Sequence, residues 1–309
     1  MKIAAVIVTF NRLSDLKIAI QKYEEQIFMP SCMIIVNNCS TDGTYEFLEQ
    51  WKKKSTSFEK IVLHLPQNIG GSGGFTEGIK YALQTDCDWY WIADDDAFLA
   101  EDALEKLTLF EHNQPELIRN CAALCGAVVR NPQSIEIDVW HRRKLTTRFG
   151  VPKQSAVSME EYEKAYMKIN LFTFVGAMVK AEVVKEVGLP RGDFFIYYDD
   201  LEFAYRVGKK GDIYCIPECK VFHDAAKHED EYGANWRSYY QSRNSLIFCK
   251  LHFPVAYYRT LIKRIIQRVI LKCIGKYSMA NQLDWDAMCD ARKDKTGISE
   301  KYYIGWKRF

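Results

Sequence analysis

The feature that most constrains this chain is a repeat in its first third: four short apolar runs, each closed by a polar loop. Ile3 to Val8 gives way to Thr9-Phe10-Asn11-Arg12, and Met33 to Val36 to Asn37-Asn38-Cys39-Ser40-Thr41-Asp42-Gly43-Thr44. Ile61 to Leu65 precedes a glycine-rich loop, and Trp89-Tyr90-Trp91-Ile92-Ala93 stops at Asp94-Asp95-Asp96. Continuous apolar runs of this length suit strands covered on both faces. Between them, Leu16, Ala19, Ile20 and Tyr23, then Tyr45, Leu48 and Trp51, then Ile79, Ala82 and Leu83 recur at helical spacing. Asp42 or Thr41 can cap the second of these helices. Repeated strand–helix units imply right-handed crossovers and a mostly parallel, Rossmann-like α/β sheet. Ligands on such sheets bind beyond the carboxyl ends of the strands, so the four polar loops should converge on one crevice.

Three adjacent carboxylates repel one another unless a cation sits among them. Oxygen donors at a strand end suit Mg²⁺ or Mn²⁺, which also grip phosphates. The competing reading is a solvated acidic turn capping a helix over Glu101 to Phe110. Asn68-Ile69-Gly70-Gly71-Ser72-Gly73-Gly74-Phe75 lets backbone approach a ligand and opens a helix whose free N–H groups favour an anion. It lacks the Gly-Lys-Ser/Thr ending of a phosphate loop and follows the third strand, so it is a poor dinucleotide fingerprint; a flexible turn is the alternative.

The middle of the chain is less regular. Leu124 to Val129 reads as a strand, Ile135 to Arg148 as a surface hairpin, and Ser158-Met159-Glu160-Glu161 as a capping box. Gly176, inside the apolar stretch Phe172 to Val179, sits where a ligand or backbone can approach. Phe194, Phe195, Tyr197 and Tyr198 directly precede Asp199-Asp200-Leu201-Glu202. Acids opening a helix suit its dipole, while aromatic cover partly desolvates a carboxylate, a setting for a general base. His223 emerges from the next strand end as a candidate metal ligand.

The chain has 309 residues, 48% hydrophobic and 27% charged, enough for a large globular core. A net charge of +2 supplies no general attraction for nucleic acid, and none is expected as a partner. Ten cysteines are scattered, mostly in apolar runs, which favours reduced core thiols over a disulfide framework. Cys121/Cys125 and Cys215/Cys219 have zinc-like spacing but lie in apparent strands. The first apolar run is too short for a signal segment, and no stretch approaches the ~18 uncharged residues of a spanning helix. A cytoplasmic protein is expected.

Taken in order, Val8 to Arg12, Val36 to Thr44, Asn68 to Phe75, Asp94-Asp95-Asp96-Ala97, Asp199-Asp200-Leu201-Glu202 and His223 resemble an inverting family 2 glycosyltransferase of the GT-A fold. The likeness covers residues 1–225. The triple Asp and the glycine-rich loop look most like the galactofuranosyltransferase branch, with rhamnosyltransferases close behind. The resemblance implies a nucleotide-sugar donor whose diphosphate is bound through a divalent metal, Mn²⁺ or Mg²⁺. Asp96 and His223 would be direct ligands, and Asp94 a ligand or a contact to ribose or sugar. Thr9, Phe10, Arg12, Asn38, Asn68, Gly70 and Gly71, with Asp94 and Asp95, would line the donor pocket, and Asp200 would be the base. The implied reaction moves galactofuranose from UDP-galactofuranose to a glycan or lipid-linked acceptor in cell-surface polysaccharide synthesis. The alternatives are rhamnose from dTDP-rhamnose and a non-catalytic nucleotide-sugar-binding protein. The family usually has Asp where this chain has Asn37, near the base of the nucleotide, which leaves uracil against thymine open.

Residues 226–309 form a second region, a helical appendage. Trp236 to Lys250 looks helical, and Val255 to Lys276 is amphipathic, with Arg259, Lys263, Arg264, Arg268, Lys272 and Lys276 spaced among Leu, Ile and Val. Two readings compete: a core-packing helix with a solvated basic face, and a helix lying in an anionic membrane surface. The second would place the protein on the inner face of the cell membrane. Homo-oligomerisation stays open. The aromatic tail, with Trp285, Tyr302, Tyr303 and Trp306, carries no further signal.

Overall fold

The apolar runs become strands and the periodic segments helices: β1 (Ile3–Thr9), α1 (Leu13–Glu24), β2 (Cys32–Asn37), α2 (Thr44–Lys53), β3 (Glu59–His64), α3 (Gly70–Ala82) and β4 (Trp89–Asp94). The computed structural model describes residues 1–130, 136–223 and 234–307. Beyond β4 come β5 (Phe98–Leu99), α4 (Ala103–Asn113), α5 (Pro115–Arg119) and β6 (Cys121–Val129). Then follow β7 (Arg142–Arg148), β8 (Val151–Ala156), β9 (Met167–Ile169), β10 (Leu171–Phe172), β11 (Ala177–Lys180), α6 (Ala181–Val187), α7 (Asp199–Val207) and β12 (Asp212–Phe222). Three helices finish the chain: α8 (Trp236–His252), α9 (Pro254–Cys273) and α10 (Met279–Arg292).

Nine strands form one sheet in the order β3-β2-β1-β4-β11-β6-β12-β5, with β9 also on β12. β1 to β4 are parallel, as are β6 and β12, while β11 runs antiparallel between β4 and β6. The chain steps outward from β1 to β3 and then returns past β1 to β4, which makes β1/β4 a topological switch point. Register aligns Thr9 with Asn37, Asn37 with His64, and Val8 with Asp94, so the four loops leave the sheet at one level.

Alternate residues of β1 feed two cores. Ala4, Val6 and Val8 meet α3 through Phe75 and Ile79, while Ile3, Ala5 and Ile7 meet Leu16, Ile20, Leu48 and Trp51. The glycines of α3 permit that closeness. A Cβ on Gly74 would stand 2.5 Å from Val8, and one on Gly78 2.5 Å from Val6. The glycine-rich stretch is therefore the first turns of a helix packed hard on the sheet, not a slack turn.

Elsewhere the sequence reading needs correction. The hairpin is β7–β8, turning at Phe149-Gly150 rather than ending at Arg148; Ile135 lies outside the described residues. Met159–Glu163 is a single 3₁₀ turn, and Ser158 makes no side-chain capping bond to it. The capping box belongs to α10, where Ser278 Oγ accepts from Asn281 N and Asn281 Oδ1 accepts from Ser278 N. Gly176 does admit close approach, its left-handed backbone leaving no room for a Cβ against Val221 and Trp91. The cysteines of the zinc-like pairs are free, buried thiols on β6 and β12. The boundary near residue 225 falls outside the described residues. No helix among the described residues is long and apolar enough to cross a membrane.

Candidate active site

A two-residue strand assembles the acidic end of the site. The turn after β4 runs through Asp96 into β5, which pairs antiparallel with the end of β12, Phe98 opposite Phe222. The pairing carries His223 back over the acids, its Nε2 3.6 Å from Asp96 Oδ1. One ligand atom from each of Asp94, Asp96 and His223 lies within 4.8 Å of the others. Two carboxylates and an imidazole at that spacing fit Mn²⁺ or Mg²⁺.

Asp95 is held by β1 and its loop: Thr9 Oγ1 donates to Oδ2 at 2.6 Å and Arg12 Nη1 to Oδ1 at 3.0 Å. Arg12 Nη1 also reaches Asp96 Oδ2 at 2.7 Å, supplying part of the counter-charge that adjacent carboxylates require. Burial pushes Asp95 up to about 7 against the pull of Arg12. Burial and the Asp96 and Asp95 charges hold Asp94 well above the carboxylate range. Burial and mutual repulsion thus favour the neutral forms of Asp94 and Asp95, and a cation would offset that.

The expected donor-pocket residues divide into scaffold and surface. Asn38 Nδ2 donates to Asn68 Oδ1 and to the Gly70 carbonyl, both at 3.0 Å, and its Oδ1 accepts from Ile69 N. Asn68 Oδ1 in turn accepts from Gly70 N at 2.8 Å. Those amides fix the loop at the start of α3. Asn37 is likewise engaged, 3.0 Å from the His64 ring, which packs against Tyr45. Phe10 is exposed, and a Cβ on Gly71 would meet nothing within 4 Å, so these two face open space.

Asp199 and Asp200 begin α7. Burial outweighs the helix dipole: Asp200 is pushed up to about 6, and Asp199, with the Asp200 charge added, to about 8. The Asp199 charge also acts on Asp94, so the two acidic groups share one region. The segment before α7 is strained. Phe195, Tyr197 and Tyr198 all have positive φ, and Ile196 N donates to the Phe194 carbonyl across a tight γ-turn. Gly70 touches this turn; a Cβ there would lie 2.1 Å from the Phe195 carbonyl oxygen.

Residues 4–187 match the family described as glycosyl transferase family 2. The chain belongs to this family. Galactofuranosyltransferase GlfT1 of Mycolicibacterium smegmatis is 26% identical to this family 2 chain over 214 residues, covering 68% of it and 66% of the relative. The chain thus spans just under two thirds of that relative's length. The dTDP-rhamnosyl transferase RfbF of Shigella flexneri is 26% identical over 264 residues, 82% of each. Mannosyltransferase PcManGT from Pyrobaculum calidifontis, solved with GDP-Man and Mn²⁺, superposes with a TM-score of 0.55 at 13% identity, over 95% of this chain and 86% of that one. At that identity the likeness establishes the GT-A fold alone.

Two groups in this family 2 site escape a sequence reading. The first is His141 and Arg143, at the start of the β7 hairpin. The His141 ring lies edge-on to His223 at 5.3 Å, and its Nδ1 is 2.7 Å from Thr173 Oγ1. Burial and the neighbouring Arg142 push His141 down to about 3, so it stays neutral. Arg143 acts electrostatically on both His141 and Asp200, linking the His223 side of the site to the α7 side. The only sequence signal was His141-Arg142-Arg143-Lys144, which reads as an ordinary charged surface.

The second group is Arg243-Asn244 on α8, both fully buried. Asn244 Nδ2 lies 3.0, 2.8 and 3.0 Å from the carbonyls of Phe194, Ile196 and Tyr197. Arg243 Nε donates to Asn244 Oδ1 and Nη2 to the Phe194 carbonyl. One amide thereby clamps the strained segment that leads into Asp200. A buried Asn is a weak sequence cue, and nothing in the α8 pattern names its partners.

Proposed function

We propose that this chain is a metal-dependent inverting glycosyltransferase that moves galactofuranose from UDP-galactofuranose to a hydroxyl of a glycan or lipid-linked acceptor. The observation that carries the reading is Asp200: a half-buried carboxylate pushed up to about 6, next to Asp199, whose charge acts on Asp94 of the Asp94–Asp96–His223 cluster. A base poised just below neutrality is ionised at working pH yet still accepts a proton in the transition state.

In this reading Asp200 removes the proton from the acceptor hydroxyl as its oxygen bonds to the anomeric carbon. The bond from that carbon to the diphosphate oxygen breaks on the opposite face, and one direct displacement inverts the configuration. Asp94, Asp96 and His223 would hold the divalent cation, which when bound supplies positive charge to the departing diphosphate. Arg12 and Thr9 fix Asp95 and keep the acidic turn in place. The Asn38–Asn68 bonds present the α3 N-terminus, whose backbone N–H groups favour phosphate oxygens.

The likeness to GlfT1 supports galactofuranose as the donor sugar. Rhamnose from dTDP-rhamnose is the second reading, favoured by the longer match to RfbF. A non-catalytic binder has no use for a tuned carboxylate at Asp200. The test is to incubate purified protein with each donor and a saccharide acceptor, with Mn²⁺ or with chelator, and assign the anomeric configuration of the product. The expected result is an inverted galactofuranoside formed only with metal. A retained configuration, or turnover undiminished in chelator, overturns the proposal.

A further inference from the structure

Among the described residues, nothing packs over the outer face of α9. Val255, Tyr258, Ile262, Ile266, Val269 and Ile270 are each between 49% and 62% exposed. At successive steps of three or four residues, the first five share one side of the helix. The opposite side is what anchors α9. Ala256 and Tyr257 are buried, Leu261 packs on the α8–α10 cluster, and Arg264 donates to the Asp284 carbonyl and to Ser242 Oγ. Arg268 stacks on Trp285 at 3.9 Å. The apolar stripe is thus turned away from the protein, and an exposed apolar surface of this extent marks a contact site.

Charge says what it contacts. No acidic residue occurs from Pro254 to Leu283. With Arg264 and Arg268 spent inward, Arg259, Lys263, Lys272 and Lys276 are the exposed cations around the stripe. A second element continues the same surface. The β7–β8 hairpin packs on the α8–α9 junction through Leu145 and Val151, and Gly150 lies against Val255. Its tip presents Phe149, 82% exposed, with the Arg148 guanidinium 5.4 Å over the ring. An aromatic tip beside a cation suits the headgroup region of a bilayer.

We propose that the outer face of α9 and the Phe149 tip together form a docking surface for an anionic lipid bilayer. A two-fold contact with a second copy would set these cations against themselves, whereas acidic headgroups complement them. The helix lies in the interface rather than crossing it, consistent with its interleaved charges. The proposal stands on residues outside the catalytic crevice; it rests on the glycosyltransferase reading only for its purpose, bringing the enzyme to a lipid-linked acceptor.

The experiment is co-sedimentation with vesicles of phosphatidylcholine alone or mixed with phosphatidylglycerol, at low and high salt, beside calorimetry of donor binding. Wild type should bind the anionic vesicles, and high salt should weaken binding by screening the charges. Ile262→Asp with Ile266→Asp should abolish binding, and Arg259→Glu with Lys263→Glu should weaken it by at least about fivefold per charge. Phe149→Ser should weaken it as well. All these positions are exposed, so melting temperature and donor affinity should match wild type. Indifference of wild type to anionic vesicles at low salt overturns the proposal, as does equal binding to uncharged ones. So does a solution dimer that Ile266→Asp dissociates. Loss of sugar transfer with vesicle binding intact would instead count against the catalytic reading alone.

Discussion

In the proposed reaction, Asp200 is the residue on which the chemistry turns. Asp200→Asn keeps size and much of the hydrogen bonding but cannot take a proton. Donor affinity should persist while kcat falls by roughly 10²–10⁴, which steady-state kinetics beside donor calorimetry will separate. The wild-type pH profile follows from the same residue. A base must be ionised, and burial raises Asp200 to about 6, so activity should hold on the alkaline side and fall about tenfold per pH unit below that value. A profile that stays flat down to pH 4 would remove Asp200 from the reaction. Asp96→Ala should abolish the response of turnover to Mn²⁺, and His223→Ala should weaken metal affinity in a direct titration, since each supplies one arm of a three-residue set.

At the scale of elements, the α8 clamp is the part with most leverage. Asn244→Ala leaves three carbonyls of a strained turn without their amide, a loss of ~1–3 kcal/mol in stability. Turnover should fall further than donor or metal affinity, and amide exchange over 194–198 should quicken; unchanged exchange there would make Asn244 an ordinary core residue. The same contrast separates what the sequence makes legible from what it hides. β1, β2 and β4 could be read because both faces are buried, which writes each strand as an unbroken apolar run, and because each stops abruptly at polar residues. Asp94, Asp96, Asp200 and His223 stood out as acids or imidazole at the ends of such runs. Arg243, Asn244, His141 and Arg143 act on residues far along the chain through backbone carbonyls, ring edges and long-range charge, none of which leaves a period. The α10 helix was missed because its capping partner is Asn281, where the usual signal is Glu or Gln.

For the molecule as a whole, the C-terminal helices cover the segment that leads into α7. Phe194 packs with Leu246, Tyr257 and Met288, and Phe195 with Tyr239, Tyr240 and Tyr302. A chain truncated after His223 should keep much of the α/β signature in circular dichroism but lose sugar transfer, because the turn before Asp200 is left uncovered and unclamped. Full turnover by that fragment would show the helices to be dispensable. The β5–β12 pairing has a consequence in time. β1 to β4 and their helices lie close together in sequence and can assemble early, whereas joining the acidic turn to His223 requires closing a far longer stretch of chain. The Asp94–Asp96–His223 set is therefore finished late, and if it holds the cation as proposed, the appearance of Mn²⁺ affinity during refolding should report the arrival of the native state rather than an intermediate.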